Sequence, residues 1–318
     1  MSTSKFVTLA RTGLLVSRIA FGAGPVSGLM TGDNFDLQRR VIQRAIESGV
    51  NWIDTAAGYG NGTSERNVGR ALEELRREPG PSATVHVATK VRVTLGDDPS
   101  RDVRSQVLKN VEASLERLQL SSVTLLQLHN GLTTHRDDEP ASVSVEDVLG
   151  CDGIASALEV VRDRGLAKFI GLTGTGHPEA MRTVIRSSRF DTIQLPYNIL
   201  NSSAGQEMPT DFAERNYGNI LRDCREMNLG VFAIRVFAAG AILGNAPSAH
   251  TLKTPYFPLD LYERDSAAAI ILSNQDPHTP PSSRAIQFSL SHPAVHSAII
   301  GFGEPAHVDD AMSALVSH

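Results

Sequence analysis

Cysteine is nearly absent from this 318-residue sequence: Cys151 and Cys224 stand far apart in unrelated contexts. Neither a disulfide framework nor a cysteine-based metal cluster can be built from two such residues, so both read as structural and no metal is expected. Long apolar runs are missing too. The first six residues are polar with one lysine, nothing resembles a signal peptide or a bilayer-spanning helix, and a cytoplasmic protein without a membrane partner is expected. There is no basic surplus, since 30 Lys and Arg face 35 Asp and Glu for a formal charge of -5. With no Lys/Arg-dense stretch interleaved with aromatics, nucleic acid is an unexpected partner. A glycine-rich dinucleotide fingerprint is also wanting. Gly22-Ala23-Gly24-Pro25-Val26-Ser27-Gly28 misses the GxGxxG spacing, no helical pattern starts directly after it, and it reads as a loop.

What is present is ordinary globular material, 41% hydrophobic and 20% charged, arranged as a repeated alternation of short apolar runs with longer amphipathic ones. Strands are expected at 18–21, 51–53, 84–89, 123–128, 169–172, 192–195, 231–234 and 297–300. Several lack polar alternation, as strands buried on both faces do. Between them, Leu108, Val111, Leu115 and Leu118 recur at helical spacing, as do Val68, Leu72 and Leu75 after a candidate cap at Ser64, with Glu65 favouring that helix's positive end. Eight such units without a strong interdomain linker predict an α/β fold, a (β/α)8 TIM barrel occupying residues 1–318 as one domain. The turn signal Arg11-Thr12-Gly13 between two apolar stretches predicts a β-hairpin ahead of the barrel. Long loops are expected at 131–144 and 237–261, after the fourth and seventh strands, where barrels build their sites.

Polar residues stand at successive strand ends. Asp54 ends the second strand, Tyr59 lies on the loop beyond it, Lys90 ends the third and His129 follows the fourth. A barrel gathers the C-terminal ends of its strands around one mouth, so the four converge there. An ammonium beside a phenol favours the phenolate, a buried ammonium needs a counter-charge, and an imidazole can orient a substrate oxygen. Singly, an Asp, Lys or His at a strand end is more often a cap or a satisfied core residue; the constellation is what points to catalysis. Lys90 alone also admits a Schiff-base reading, as in lysine-dependent barrel aldolases, which leaves Tyr59 unexplained.

The stretch Asp54-Thr55-Ala56-Ala57-Gly58-Tyr59-Gly60, followed by Ser64-Glu65, Gly69 and Ala71-Leu72, resembles the aldo-keto reductase signature. Arg11-Thr12-Gly13-Leu14 with Val16-Ser17, Leu115 with Arg117-Leu118, and Gly165, Ile170-Gly171 and Gln194 extend the resemblance along almost the whole chain. It implies an oxidoreductase whose catalytic residues are Asp54, Tyr59, Lys90 and His129, working with NAD or NADP on a small-molecule carbonyl or sugar. The cofactor contacts it implies are Gly22, Ala23, Asp54, Thr173, Gly174, Gln194, Arg235, Phe237, Gly240, Gly301, Gly303, Glu304 and Asp310. The sequence departs from the family in three places. Thr173-Gly174 replaces a Ser-Asn pair, so the Asn contact is missing. Arg235 stands where relatives often stack a Tyr on the nicotinamide. The segment 301–307 has no Lys or Arg for a 2′-phosphate, and Glu304 there suits the ribose hydroxyls of NAD, or else simply the N-terminus of the last helix. Thr173-Gly174 and Leu195-Pro196-Tyr197-Asn198, together with the Arg235 segment, look similar to the galactose and fucose dehydrogenase branch. Asn130, Tyr197, Asn198 and Arg235 are candidates for sugar hydroxyls, and general aldehyde reduction stays open. A nucleotide-binding regulatory role, as in the potassium-channel β subunits that resemble this family, is the alternative outside enzymology.

Overall fold

A computed structural model describes residues 4–77, 84–96 and 102–316, so the first three residues of the polar N-terminal stretch lie outside it. Strands β1 (Phe6–Thr8) and β2 (Leu15–Ser17) pair antiparallel with Val7 opposite Val16, the predicted hairpin, around a 3-10 turn at Ala10–Thr12. Then come β3 (Ile19–Gly22), β4 (Trp52–Asp54), β5 (His86–Val91) and β6 (Val123–Leu128), and, in the next loop, the short β7 (Leu132–Thr133) and β8 (Val143–Ser144). Strands β9 (Ala167–Thr173), β10 (Thr192–Pro196), β11 (Gly230–Ile234) and β12 (Ser297–Ile300) complete the set. The eight parallel barrel strands close in the order β3-β4-β5-β6-β9-β10-β11-β12, with β12 returning to β3. They coincide with the eight predicted strands to within two residues; the third begins at His86 rather than 84.

The helices are α1 (Phe35–Glu47), α2 (Thr63–Arg77), α3 (Val103–Leu118), α4 (Val145–Leu149), α5 (Ile154–Asp163), α6 (Pro178–Arg186), α7 (Ile220–Glu226), α8 (Leu259–Gln275), α9 (Pro281–Ser291) and α10 (Pro305–Ser313). None of the described helices is long and apolar enough to cross a membrane. In α3 the buried positions Val107, Val111, Leu115 and Leu118 form the stripe facing the barrel, and Asp102 caps its start by accepting from the Arg104 amide. Apolar strand faces and helix stripes make one continuous core, while Trp52, Ala88, Leu125, Phe232 and Leu9 pack as a second cluster inside the barrel. Leu9 comes from the hairpin and abuts Gly230 at the start of β11, so the hairpin plugs the end of the barrel opposite the strand C-termini.

Two local expectations change, and a third gains a partner. Ser64 lies inside the first turn of α2 and is no cap: its hydroxyl donates to the Ala23 carbonyl and hydrogen-bonds Thr55 Oγ1. Glu65 does lie in the first turn of α2, as expected, but it is also fully buried, accepting from Thr89 Oγ1 at 2.5 Å and Arg117 Nε at 2.6 Å as an interior ion pair. The loops also hold more structure than their polarity announced, β7 and β8 in the first, and a 3-10 turn at Ala238–Leu243 with the start of α8 in the second.

Candidate active site

Register sets the site. Asp54, the last residue of β4, is paired with Gly22 on one side and Ala88 on the other, and Lys90 of β5 is paired with Gln127 of β6. Lys90 Nζ donates to Asp54 Oδ1 at 2.5 Å, to the Thr55 carbonyl at 2.9 Å and to the Tyr59 hydroxyl oxygen at 3.2 Å. The other Asp54 oxygen accepts from Gln127 Nε2 at 3.2 Å and from Gln194 Nε2. Burial opposes charge on Lys90, yet the charges and hydrogen bonds of Asp54 and Tyr59 win and raise its pKa above the ordinary lysine value. The ammonium is therefore the resident form.

Tyr59 is placed by the turn after β4, its amide bonded to the Ala56 carbonyl and its carbonyl to the Ser64 amide. Its ring lies against Gly24, where a Cβ would stand 3.7 Å away, and meets His129 edge-on with centroids 5.7 Å apart. His129 follows β6, its amide tied to the Val91 carbonyl at 2.8 Å. Burial, then the charges of Lys90 and Arg92, push its imidazole well below the usual histidine range, so it is neutral at physiological pH.

These four residues meet at a cleft of about 770 Å³ at the strand C-termini. Of the other sequence candidates, Gly22, Thr173, Gln194, Arg235, Phe237, Gly240, Gly301 and Gly303 line it. Ala23, Gly174, Glu304 and Asp310 do not. Ala23 is buried with its amide bonded to the Asp54 carbonyl and its carbonyl to Ser64. The Gly174 amide is bonded to the Gln194 carbonyl at 2.7 Å, and that glycine is demanded by packing, since a Cβ would come within 2.4 Å of Leu195 Cδ2. Glu304 projects outward from the N-cap position of α10, 3.5 Å from His307 Nε2 and without a side-chain cap hydrogen bond, and Asp310 is exposed farther along that helix. Arg235 is committed to Asp265 at 2.8 Å and stacks over Phe257 at 4.3 Å. The carboxamides of Asn130 and Asn198 tie neighbouring loops together, Asn130 through the Val93 amide and carbonyl and Asn198 through the Arg235 carbonyl, and Tyr197 packs on Phe288 and His292 away from the cleft.

Sequence reasoning missed Gln127, whose signal is a lone amide within the apolar run of β6. It also missed Arg92, Thr175, Arg215 and Ser27 on the cleft wall. Two hydroxyls there, Thr173 Oγ1 and Ser27 Oγ, are buried with no hydrogen-bond partner among the described residues. Unsatisfied polar atoms beside a cleft are what a polar ligand satisfies.

The sequence pattern of the Aldo/keto reductase family matches residues 18–317. The chain is 27% identical to D-threo-aldose 1-dehydrogenase of a Pseudomonas species, over 94% of this chain and 89% of that protein. It is 24% identical to L-galactose dehydrogenase of Arabidopsis thaliana, over 99% and 89%. Among solved structures, the holo form of an aldo-keto reductase from Bacillus halodurans superposes with a TM-score of 0.71 at 20% identity, covering 99% of this chain and 91% of the other. With the matched region running through all eight barrel strands, the chain belongs to the aldo/keto reductase family and is an oxidoreductase.

Proposed function

We propose that this enzyme moves a hydride between a nicotinamide cofactor and the anomeric carbon of an aldose or a related aldehyde, with Tyr59 as general acid and base. The observation that carries the reading is the Lys90 ammonium, held by Asp54 at 2.5 Å and donating to the Tyr59 oxygen at 3.2 Å beside a neutral His129. Since Lys90 donates to that oxygen, the phenolic proton is left to point into the cleft, toward a carbonyl oxygen. When the carbonyl is reduced, Tyr59 gives that proton to the oxygen and the ammonium stabilises the phenolate that remains; in oxidation Tyr59 takes it back. His129 hydrogen-bonds the reacting oxygen and fixes its direction.

The family works with a nicotinamide cofactor, which when bound supplies or accepts the hydride. The cleft wall fits such a group: Thr173 Oγ1 and Ser27 Oγ are unpaired, and Gly22, Gly301 and Gly303 give backbone surface for close approach. We assign NAD as the preferred form, because 301–307 carries no Lys or Arg to neutralise a 2′-phosphate. Glu304, which faces His307 instead of the cleft, has no part in that assignment. The aldose substrate is supported by the names of the relatives and by polar groups at the mouth such as Asn245, Ser248 and Thr254. An aldolase reading is disfavoured, because an attacking amine must be neutral and Lys90 is held charged with three acceptors.

Fluorescence titration with NADH and NADPH, followed by turnover on aldoses and simple aldehydes by wild type and Tyr59→Phe, tests the reading. Saturable binding, NADH the tighter, and a turnover loss of about 10²–10⁴-fold in Tyr59→Phe with binding retained are expected. Binding without turnover on any carbonyl would favour the regulatory alternative, and tighter NADPH would overturn the cofactor assignment.

A further inference from the structure

Five basic side chains line the cleft: Lys90, Arg92, Arg117, Arg215 and Arg235. Four have a carboxylate partner, Lys90 with Asp54, Arg117 with Glu65, Arg235 with Asp265 and Arg215 with Glu139. Arg92 has none among the described residues. It lies two residues beyond Lys90, just past the end of β5, and lines the same cleft, and its neighbour Val91 holds the His129 amide. One Arg92 nitrogen, Nη1, donates to the Tyr256 hydroxyl, the Tyr256 ring covers the guanidinium at 4.7 Å, and Nε is buried without a partner among the described residues.

A guanidinium lacking, among the described residues, both a counter-ion and a partner for one of its donors is an incomplete arrangement for a structural residue. It suits a planar oxyanion that takes two parallel N–H bonds. We propose that Arg92 is a specificity residue that reads an oxyanion, a carboxylate or a phosphate, on the substrate at a carbon remote from the one that reacts at Tyr59. This rests on the carbonyl or aldose reading above and narrows it to acidic substrates. Tyr256, 40% exposed on the loop leading into α8, covers the guanidinium and competes for Nη1 until the oxyanion displaces its hydroxyl.

The test compares kcat and KM for galactose against galacturonate, and for glyceraldehyde against glyceraldehyde 3-phosphate, in wild type, Arg92→Gln, Arg92→Lys and Tyr256→Phe. In wild type the acidic member of at least one pair is preferred, through KM. In Arg92→Gln the acidic-to-neutral ratio of kcat/KM falls about ten- to hundredfold, the range for a hydrogen bond to a charged group. Arg92→Lys keeps part of the preference, and Tyr256→Phe, without the competing hydroxyl, increases it. A response confined to the first pair identifies a carboxylate, and one confined to the second a phosphate. A wild-type ratio near one in both pairs, or a ratio unmoved by Arg92→Gln, overturns the proposal. Calorimetric titration with malonate and with inorganic phosphate separates the two levels of inference. If no carbonyl compound is turned over, the reaction is wrong, and anion binding lost in Arg92→Gln still establishes the oxyanion site; its absence overturns that too.

Discussion

Removing the Lys90 ammonium tests whether the centre of the site is one charged unit. Lys90→Met keeps most of the side-chain volume but leaves the Asp54 carboxylate, 2% exposed, with only the amides of Gln127 and Gln194 as donors. Taking one partner from a buried ion pair costs about 3–5 kcal/mol, because the other charge stays uncompensated in a poorly polarisable interior. Asp54→Asn removes that charge while preserving an oxygen for the two glutamines. The double variant is therefore expected to be more stable than the sum of the single losses by a coupling energy of about 1–3 kcal/mol. The assay is urea unfolding followed by the fluorescence of Trp52, the one tryptophan, which is buried on the strand that carries Asp54. Turnover follows the same logic. At 3.2 Å and an effective dielectric constant of about 20, an ammonium and a phenolate attract by about 5 kcal/mol, so Lys90→Met should lower kcat by at least about 10²-fold. A Lys90→Met enzyme with wild-type stability, or strictly additive losses in the double variant, would refute the coupled pair.

Acid should weaken the fold before it protonates the carboxylates. Burial first, then the charge of Arg18, lowers His296 from 6.5 to about 4, and His86, His129, His250 and His292 are lowered chiefly by burial. The unfolded chain binds these protons and the folded chain does not, so stability is full above about pH 6.5 and falls as the pH drops toward 4. His296 alone contributes about 3 kcal/mol at 1.36 kcal/mol per pKa unit. His296→Gln, which can still accept from the Val231 amide, should flatten the decline in urea midpoint between pH 6.5 and 4, and an unchanged slope would refute the assignment. The Lys90 contribution runs the other way: its raised pKa leaves it intact across this window, to be lost only above about pH 10.5. Gly22→Ala would set a Cβ 2.9 Å from Ile299 Cγ2 and 3.2 Å from the Ile300 carbonyl, where β3 meets β12; crowding of this kind costs about 1–3 kcal/mol, read as a lower melting temperature with weaker NADH binding.

The eight strands were legible because each is a short apolar run with its own amphipathic partner, and periodicity is a local property. Asp54, Tyr59, Lys90 and His129 were legible for a related reason. Each lies at or just past a strand end, and barrel closure alone converts that position into proximity. What stayed hidden depends on partners far away in sequence. Glu65 is legible as a helix-start acid, but its ion pair appears only when α3 delivers Arg117 to it, 52 residues on. Glu304 looks like a ribose acceptor until the extended backbone at the mouth of α10 turns it outward. Arg92 meets Tyr256 across 164 residues of chain, and no pattern in either neighbourhood announces the other.

The hidden part determines what the legible part can do. Asp54 is read from sequence as a counter-ion to Lys90, but Gln127 and Gln194 take its second oxygen, so the carboxylate cannot swing away to a ligand or to solvent. With Asp54 fixed, the three Lys90 donors are fixed on Asp54, Thr55 and Tyr59. A lysine with all three hydrogens engaged has no free hydrogen for the substrate. It acts on the reaction only through the Tyr59 oxygen, which is why the proposed proton transfer is assigned to the phenol. The two glutamines thereby hold the ammonium in that supporting role. Exchanging either for leucine should loosen Lys90 and lower kcat with little change in KM, whereas a change confined to KM would place Gln127 or Gln194 at the substrate instead.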